Sequence, residues 1–299
     1  MPKRTNSRNN SINFKLSIEK LKANKTEKVD SMRICVLGLG QVGLPTATYI
    51  LEKGLEVWGY DINPITIEKA KEEGILKATS NWQEVPPVDV YIICVSTMLK
   101  SDLPDLSPIF DVCEKISQKS CSSSLVSIES TIMPGASKKV YENIFNKNIN
   151  LVHVPHRYWA EDQARHGVKQ LRVIGAVNPE SLNIGLKFYK DILEVPLHVV
   201  PSIEIAEMSK IVENAYRYVQ IAFAEELKMI CREIGLNFNE VQGACNTKWN
   251  IEIPEARDGI GGHCLPKDTR HLASLTTYYT LLKSARIVDK TYREWLSKR

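Results

Sequence analysis

No two cysteines in this chain stand in a CxxC pair, although there are seven, at 35, 94, 113, 121, 231, 245 and 264. The missing CxxC pairs argue against a zinc site, and the odd count and wide scatter argue against a disulfide framework. No metal is expected, and a reducing cytoplasm fits best. The chain also lacks any apolar run approaching the length of a transmembrane helix. Its N-terminal stretch holds no continuous apolar region, so a secretory signal is not expected. Internal repeats and low-complexity segments are absent. There is no global excess of one charge: the net charge is +4, with 43% hydrophobic and 25% charged residues. Those values suit a soluble globular protein with a sizeable core. The bias that exists is local. Residues 1–30 carry eight Lys/Arg against Glu19, Glu27 and Asp30. We read 1–31 as a solvated, disordered basic tail rather than a nucleic-acid-binding arm. Neither nucleic acid nor a membrane is an expected partner.

What is present begins with alternation. Residues 33–37 (RICVL) read as a buried strand, followed by a glycine turn and a helix to about Lys53. A second strand over 56–60 ends at Asp61, and Pro64 opens a helix at its first turn, where proline is tolerated. Further strands are expected over 88–97, 124–131, NLVHV, LRVIGAV and PLHVV, with helices over 106–117, 135–145 and 179–192. Strands alternating with helices predict an α/β fold: a doubly wound Rossmann-like domain over 32–200 with a parallel sheet covered on both faces. The pattern changes near Pro201. No Pro or Gly occurs between Ile203 and Ile234, and apolar residues recur at helical spacing from Ile205 to Ile230. A helix of about 30 residues spans roughly 45 Å, which suits a spine between domains or subunits, and Gly235 is its natural stop. A short helix over 239–245, a loop over 247–267 and a final helix over 277–297 complete an all-helical segment, 201–299.

GLGQVG supplies the pattern G-x-G-x-x-G at Gly38, Gly40 and Gly43, with Val42 between the last two. Alone the pattern is weak. Here it follows a strand, opens a helix and is followed by Asp61 at the end of the second strand. That context predicts a dinucleotide site: glycines let the backbone approach a pyrophosphate, and the helix N-terminus favours an anion. A carboxylate at Asp61 would accept from ribose hydroxyls and repel a 2′-phosphate, which favours NAD over NADP. Ser96, Thr97, Ser130 and Thr131 end later strands of the same sheet, where ligands gather. Helix capping is an equal reading for each hydroxyl taken alone.

The loop GIGGHCLPKD places Cys264 among glycines and charged residues. A buried apolar thiol, a metal ligand and a nucleophile are the three readings. His263 is the only near neighbour with ligand chemistry, which makes the metal the weakest of them. Lys210 and Asn214 lie four apart on the long helix and share a face beside Met208 and Ile211. Asp268 follows Cys264 at the same spacing.

GLGQVGLPTA, Glu129-Ser-Thr with Met-Pro-Gly135, AEMSKIVENAYR and GGHCLPKD, in that order over about 32–290, resemble the UDP-glucose/GDP-mannose dehydrogenase family. The cysteine segment is the most specific element. The resemblance implies a twofold, NAD-dependent oxidation of the C6 hydroxymethyl of a nucleotide sugar to a carboxylate, dimerisation through the helical segment, and a second doubly wound domain for the nucleotide. The chemistry explains the sulfur. An alkoxide expels the first hydride, but the aldehyde so formed has no equivalent oxyanion. Addition of a thiolate restores one, and water then cleaves the resulting thioester. A free thiol has a pKa of about 8.5 and gains from assistance.

On this reading Cys264 is the nucleophile and Gly261 and Gly262 allow close approach of substrate. Lys210 stabilises the oxyanion, Asn214 positions substrate or water, and Asp268 is the base for water, its other reading being an N-cap of the last helices. By resemblance Thr131 orients a catalytic water and Lys267 faces the cofactor phosphates. Expected cofactor contacts are thus Gly38, Gly40, Val42, Gly43, Asp61, Ser96, Thr97, Thr131 and Lys267. Expected substrate contacts are Lys210, Asn214, Gly261 and Glu161.

Three departures stand out. Many members have Pro-Glu where this chain has Pro155-His156, so Glu161 or Asp162 is the expected stand-in, with His156 and His166 either functional or ordinary surface residues. EARDG, 255–259, replaces a glycine-proline approach to the cysteine loop. The sequence stops at Arg299, before the expected nucleotide domain, so a separate polypeptide supplying that site is one expectation. Two rivals follow. One is a single-step 3-hydroxyacid dehydrogenase of the 6-phosphogluconate type, which combines a glycine fingerprint with Lys-x-x-x-Asn but needs no cysteine. The other is a non-catalytic NAD-binding subunit.

Overall fold

The computed structural model describes residues 32–100 and 103–298. The basic segment 1–31 and the expectation attached to it lie outside them. The strands are β1 (Arg33–Leu37), β2 (Glu56–Tyr60), β3 (Ala78–Thr79), β4 (Val90–Ile93), the small pair β5 (Leu99–Lys100) and β6 (Leu103–Pro104), β7 (Leu125–Ile128), β8 (Asn150–His153), β9 (Arg172–Ala176) and β10 (Leu197–Val199). The α-helices are α1 (Gly43–Glu52), α2 (Pro64–Glu72), α3 (Ser107–Ser117), α4 (Ala136–Asn143), α5 (Gln163–His166), α6 (Pro179–Leu186), α7 (Ile203–Glu233), α8 (Phe238–Cys245), α9 (Cys264–Ser274) and α10 (Thr280–Ser297).

Eight strands form one sheet in the order β10-β9-β8-β7-β4-β1-β2-β3. The apolar residues of β1, β4, β7 and β8 are buried on both faces, as a sheet sandwiched by helices requires. One core unites Leu44, Ala47 and Ile50 of α1 with Ile67 of α2 and with Phe188 and Tyr189. The other unites Ile109, Val112 and Ile116 of α3 with Val140 of α4. The sheet departs from the all-parallel expectation at one place: β8 pairs antiparallel with β9. The reason is the connection. Residues 154–171 contain only the short turn Ala160–Asp162 and α5, and no long helix carries the chain across to begin a parallel strand. The switch point, where the chain turns from β3 back across β1 to β4, lies between β1 and β4, and their carboxyl ends frame the glycine turn.

Beyond β10 the chain is helical. α7 runs 31 residues without a break, roughly 45 Å. Its apolar residues serve two faces rather than one stripe. Ile211, Ala215, Tyr218 and Ala222 are buried against the rest of the chain, whereas Ile205, Val212, Tyr216, Phe223 and Ile230 are 41–64% exposed. α9 and α10 both pack along α7. The expected loop over 247–267 ends earlier than its glycines suggest, because Cys264 is the first residue of α9. Pro266 sits in the first turn, where no intrahelical N–H is needed. Among the described residues no helix is long and apolar enough to cross a membrane.

Candidate active site

The glycine turn is built by contact. Gly38 has φ +87°, and a Cβ there would lie 2.7 Å from the Cys94 carbonyl oxygen. A Cβ at Gly43 would lie 1.7 Å from the Gly38 carbonyl oxygen, whereas one at Gly40 would meet nothing within 4 Å. Gly38 and Gly43 therefore close the turn on itself, and Gly40 faces open space at the start of α1. The Val42 carbonyl accepts from the Thr46 amide at 3.1 Å and from its hydroxyl at 2.9 Å. Asp61 accepts from the Leu39 amide and the Asn63 amide, both at 2.8 Å, which ties the turn to the end of β2. An open backbone cradle at a helix N-terminus, with a carboxylate beside it, fits a dinucleotide with an unphosphorylated ribose. A cleft of about 740 Å³ opens at Gly40 and Gln41 between α1, α2 and segment 158–169. It borders this cradle but not Cys264.

A second constellation forms where α7 and α9 meet the sheet. Lys210 Nζ donates to Asn214 Oδ1 at 3.3 Å, and Asn214 Nδ2 donates to Asp268 Oδ2 at 2.5 Å. Lys267 Nζ donates to Asp268 Oδ1 at 2.5 Å and to Thr97 Oγ1 at 3.5 Å. Thr97 Oγ1 in turn donates to the Thr131 carbonyl at 2.7 Å. The residues Lys210, Asn214, Asp268, Lys267, Thr97 and Thr131, all singled out from sequence, thus form one connected chain from the helical spine to the carboxyl ends of β4 and β7. Asp268 is fully buried. It lies inside α9, not at a helix N-cap, so the capping alternative is corrected. Burial depresses the Lys210 pKa, and the charges of Glu213, Asp268 and Cys264 oppose that depression. Cys264 is exposed at the N-terminus of α9, one turn before Asp268.

The remaining expectations fall differently. Lys267 spends its ammonium on Asp268 and Thr97. Gly261 has nothing within 4 Å of a notional Cβ. Ser96 is exposed. Glu161 is exposed on the turn Ala160–Asp162, and Asp162 caps the Arg165 amide at 3.2 Å. Neither is drawn into the constellation.

His156 is not a surface residue. It is buried, with Nε2 3.0 Å from Thr46 Oγ1 and against the Glu129 carboxylate. Burial, with help from Arg172, pushes its pKa down, and the Glu129 carboxylate opposes that shift. Glu129 is fully enclosed by His156, Arg172 (Nη1 at 3.1 Å), Tyr189 and the Cys94 thiol (Sγ at 3.7 Å). Burial raises its pKa, but Arg172 and His156 outweigh that and hold it at about 2. The donor atoms of Cys94, Glu129 and His156 lie within 4.8 Å of one another, yet Arg172 already sets a cation against the same carboxylate. Sequence reasoning missed this cluster. Its signal was a charge at each of two apolar strand ends, Glu129 after SLVSI and Arg172 before VIGA. The next residue, Arg157, pairs with Glu213 of α7 through Nε at 3.1 Å, joining the segment to the spine.

A second missed contact joins two helices far apart in the sequence. The N-terminus of α4 has Gly135 at its cap and no side-chain cap of its own. Buried Glu207 of α7 accepts there from the Gly135 amide and, at 2.8 Å, from the Ser137 amide.

A glycine cradle at the switch point of a doubly wound sheet, facing a Lys–Asn–Asp chain from a helical spine, defines a Rossmann-type dehydrogenase fold. Residues 32–76 and 66–193 match the NAD binding domain of the UDP-glucose/GDP-mannose dehydrogenase family, and residues 204–291 match that family's central domain. The chain is 31% identical to the UDP-N-acetyl-D-mannosamine dehydrogenase of Methanococcus maripaludis, over 90% of this chain and 67% of that protein. It is 31% identical to an NDP-N-acetyl-D-galactosaminuronic acid dehydrogenase of Ralstonia nicotianae, over 80% of this chain and 64% of that one. The structure of a UDP-D-ManNAc dehydrogenase from Pyrococcus horikoshii superposes with a TM-score of 0.81 at 30% identity, covering 89% of this chain and 70% of the other. The chain therefore belongs to the UDP-glucose/GDP-mannose dehydrogenase family, and its cofactor is NAD. It spans about two thirds of the length of the curated relatives it matches.

Proposed function

We propose that this chain carries out the NAD-dependent twofold oxidation of the C6 hydroxymethyl of a nucleotide sugar to the carboxylate, through a covalent adduct on Cys264. The observation that carries the reading is the connected chain Lys210–Asn214–Asp268–Lys267–Thr97–Thr131, set one helical turn from an exposed cysteine. NAD, when bound, accepts the hydride of each oxidation; Gly38, Gly40, Val42, Gly43, Asp61, Ser96 and Thr97 would hold it. The chain's own residues do the rest. Lys210, partly desolvated, offers its N–H groups to the oxyanion of substrate or adduct. Cys264, exposed at the N-terminus of α9, is the nucleophile. Asn214 fixes the Asp268 carboxylate, which takes the proton of the water that cleaves the thioester. Gly261 leaves room for the sugar.

We place the border between the NAD-binding and helical domains near residue 200. We also propose a homodimer through the exposed stripe of α7. Ile205, Val212, Phe223 and Ile230 recur at seven- and eleven-residue spacing, as a helix–helix seam does. Phe223→Glu should convert the dimer to monomer in analytical ultracentrifugation; an unchanged sedimentation coefficient would remove this stripe from consideration.

The activity is tested by incubating the protein with NAD and a panel of UDP- and GDP-sugars and counting NADH per sugar. Two equivalents are expected, with Cys264→Ser stopping at or before the aldehyde. One equivalent that survives Cys264→Ser identifies a single-step hydroxyacid-type dehydrogenase instead. NAD binding without turnover of any sugar identifies a non-catalytic subunit.

A further inference from the structure

The segment before Cys264 is held by its backbone, and the holders are side chains of α7 and α10 that lie outside the constellation above. Lys228 Nζ donates to the Ala256 carbonyl at 2.8 Å, and Tyr292 OH donates to the Arg257 carbonyl at 2.6 Å. Ile260 is gripped at both polar groups: its amide donates to Asp289 Oδ1 at 2.8 Å, and its carbonyl accepts from Arg293 Nη2 at 2.6 Å. Arg293 Nε also donates to Asp289 Oδ1 at 3.0 Å, and Tyr218 OH donates to Asp289 Oδ2 at 3.1 Å, which fixes the pair. Gly259 follows from this grip. With φ +95°, it would carry a Cβ 2.7 Å from Arg293 Cζ, so the guanidinium lies directly across its backbone. The Ile260 side chain is buried with Tyr218, Ala222 and Ala285, and Leu265 of α9 packs on the same cluster. Between this anchor and Cys264 stand Gly261 and Gly262, neither with a neighbour within 4 Å of a notional Cβ, and Gly262 has φ +75°.

We propose that Asp289 and Arg293 are positioning residues for Cys264: they clamp Ile260 as the fixed side of a Gly261–Gly262 hinge and so hold the cysteine at the N-terminus of α9. The idea rests on the proposed role of Cys264 but is read from the thiol itself. Glu225 couples the clamp to pH. It is fully buried behind Asp289, and neither carboxylate oxygen has a hydrogen-bond partner among the described residues. Its charged neighbours are Asp289 and Arg293 of α10 and Lys228 of its own helix, and it lies near the Tyr218 phenol. Burial first, and Asp289 second, raise its pKa to about 7. As pH rises through that value, a second carboxylate competes with Asp289 for Arg293, and the grip on Ile260 loosens.

The test is the alkylation rate of each exposed cysteine by iodoacetamide, followed by peptide mass spectrometry on the full chain. Cys121 and Cys245 are also exposed and serve as internal controls. Releasing the clamp moves Cys264 out of the helix-terminal field. Asp289→Ala and Gly259→Ala should therefore slow its alkylation at neutral pH by roughly two- to fivefold, because the amides at a helix N-terminus no longer face the negative charge that the sulfur carries as it reacts. The controls should not change. Asp289→Asn keeps the acceptor for the Ile260 amide and should restore most of the rate. A wild-type rate in Gly259→Ala, or equal loss in Asp289→Asn and Asp289→Ala, overturns the clamp. If Asp289→Ala fails to fold, Gly259→Ala and Asp289→Asn decide. The ratio of wild-type to Glu225→Gln rates should be flat below pH 6 and fall above pH 7; a flat ratio to pH 8.5 overturns the coupling. Because no sugar enters the assay, failure of the proposed oxidation and failure of the clamp give different results.

Discussion

The three glycines of the fingerprint differ in what they are for. Gly43 has no room for a methyl group, because its Cβ would overlap the Gly38 carbonyl at 1.7 Å. Gly40 has room on the protein side, so its small size serves something that approaches from outside. Gly43→Ala should lower the melting temperature by several degrees, the consequence of a backbone shift costing about 1–3 kcal/mol. Gly40→Ala should melt like wild type but bind NAD more weakly in calorimetric titration. Equal melting temperatures for the two variants would refute this division. Arg172 illustrates a different dependence. It lies against the enclosed Glu129 carboxylate, and a buried charge stripped of its partner is destabilising by about 3–5 kcal/mol. Arg172→Leu should therefore shift the urea midpoint sharply, and Glu129→Gln combined with it should recover part of the loss. If the double variant is no better than the single one, the charge pairing is not what Arg172 supplies.

Among the elements, α7 connects most of the others. Through Glu207 it caps α4, through Glu213 it holds the segment after β8, and through Lys210 and Asn214 it reaches α9. Glu207→Ala should leave two helix-terminal amides without acceptors, a loss of about 1–3 kcal/mol, and hydrogen exchange of the α4 amides should quicken more than that of α1. Uniform quickening would contradict the assignment. The pattern in the sequence located this helix well: an unbroken stretch without Pro or Gly, closed by Gly235. It did not locate the start of α9. GGHCLPKD reads as a loop because glycine and proline dominate it, yet proline in a first helical turn is allowed and the glycines end just before it. Nor did it foresee that the expected apolar list of α7 divides between two faces. Ile205, Val212, Phe223 and Ile230 share an outward line, while Ile211 and Ala215 turn inward.

At the scale of the whole molecule, the helical part folds back so that α9 and α10 lie along one spine, and this encloses Glu225. Its pKa is raised from 4.5 to about 7 in the folded protein. A group with a raised folded-state pKa contributes stability that is complete below its unfolded value, near pH 4.5, and is lost as pH rises through about 7. The loss approaches about 3 kcal/mol once the group is ionised on both sides of the transition. Stability to urea should therefore decline between about pH 4.5 and pH 7 and level off above that, and Glu225→Gln should flatten that decline. An identical pH dependence in the variant would show that some other group is responsible.

The sequence by itself determined the switch-point glycine cradle, the spine helix and the residue types that make up the Lys210–Asn214–Asp268 constellation. These depend on local conformation and on spacing along one helix or one turn, which period and glycine placement encode directly. Tertiary structure alone decided the rest. Glu129, His156 and Arg172 come from three different strand ends and meet only when β7, β8 and β9 are side by side. Asp268 becomes a partner of Asn214 only because α9 packs on α7. Asp289 and Arg293 take hold of Ile260 from the far side of α9, with the whole of that helix intervening in the chain. Such contacts depend on how elements pack, and no spacing in one dimension specifies them.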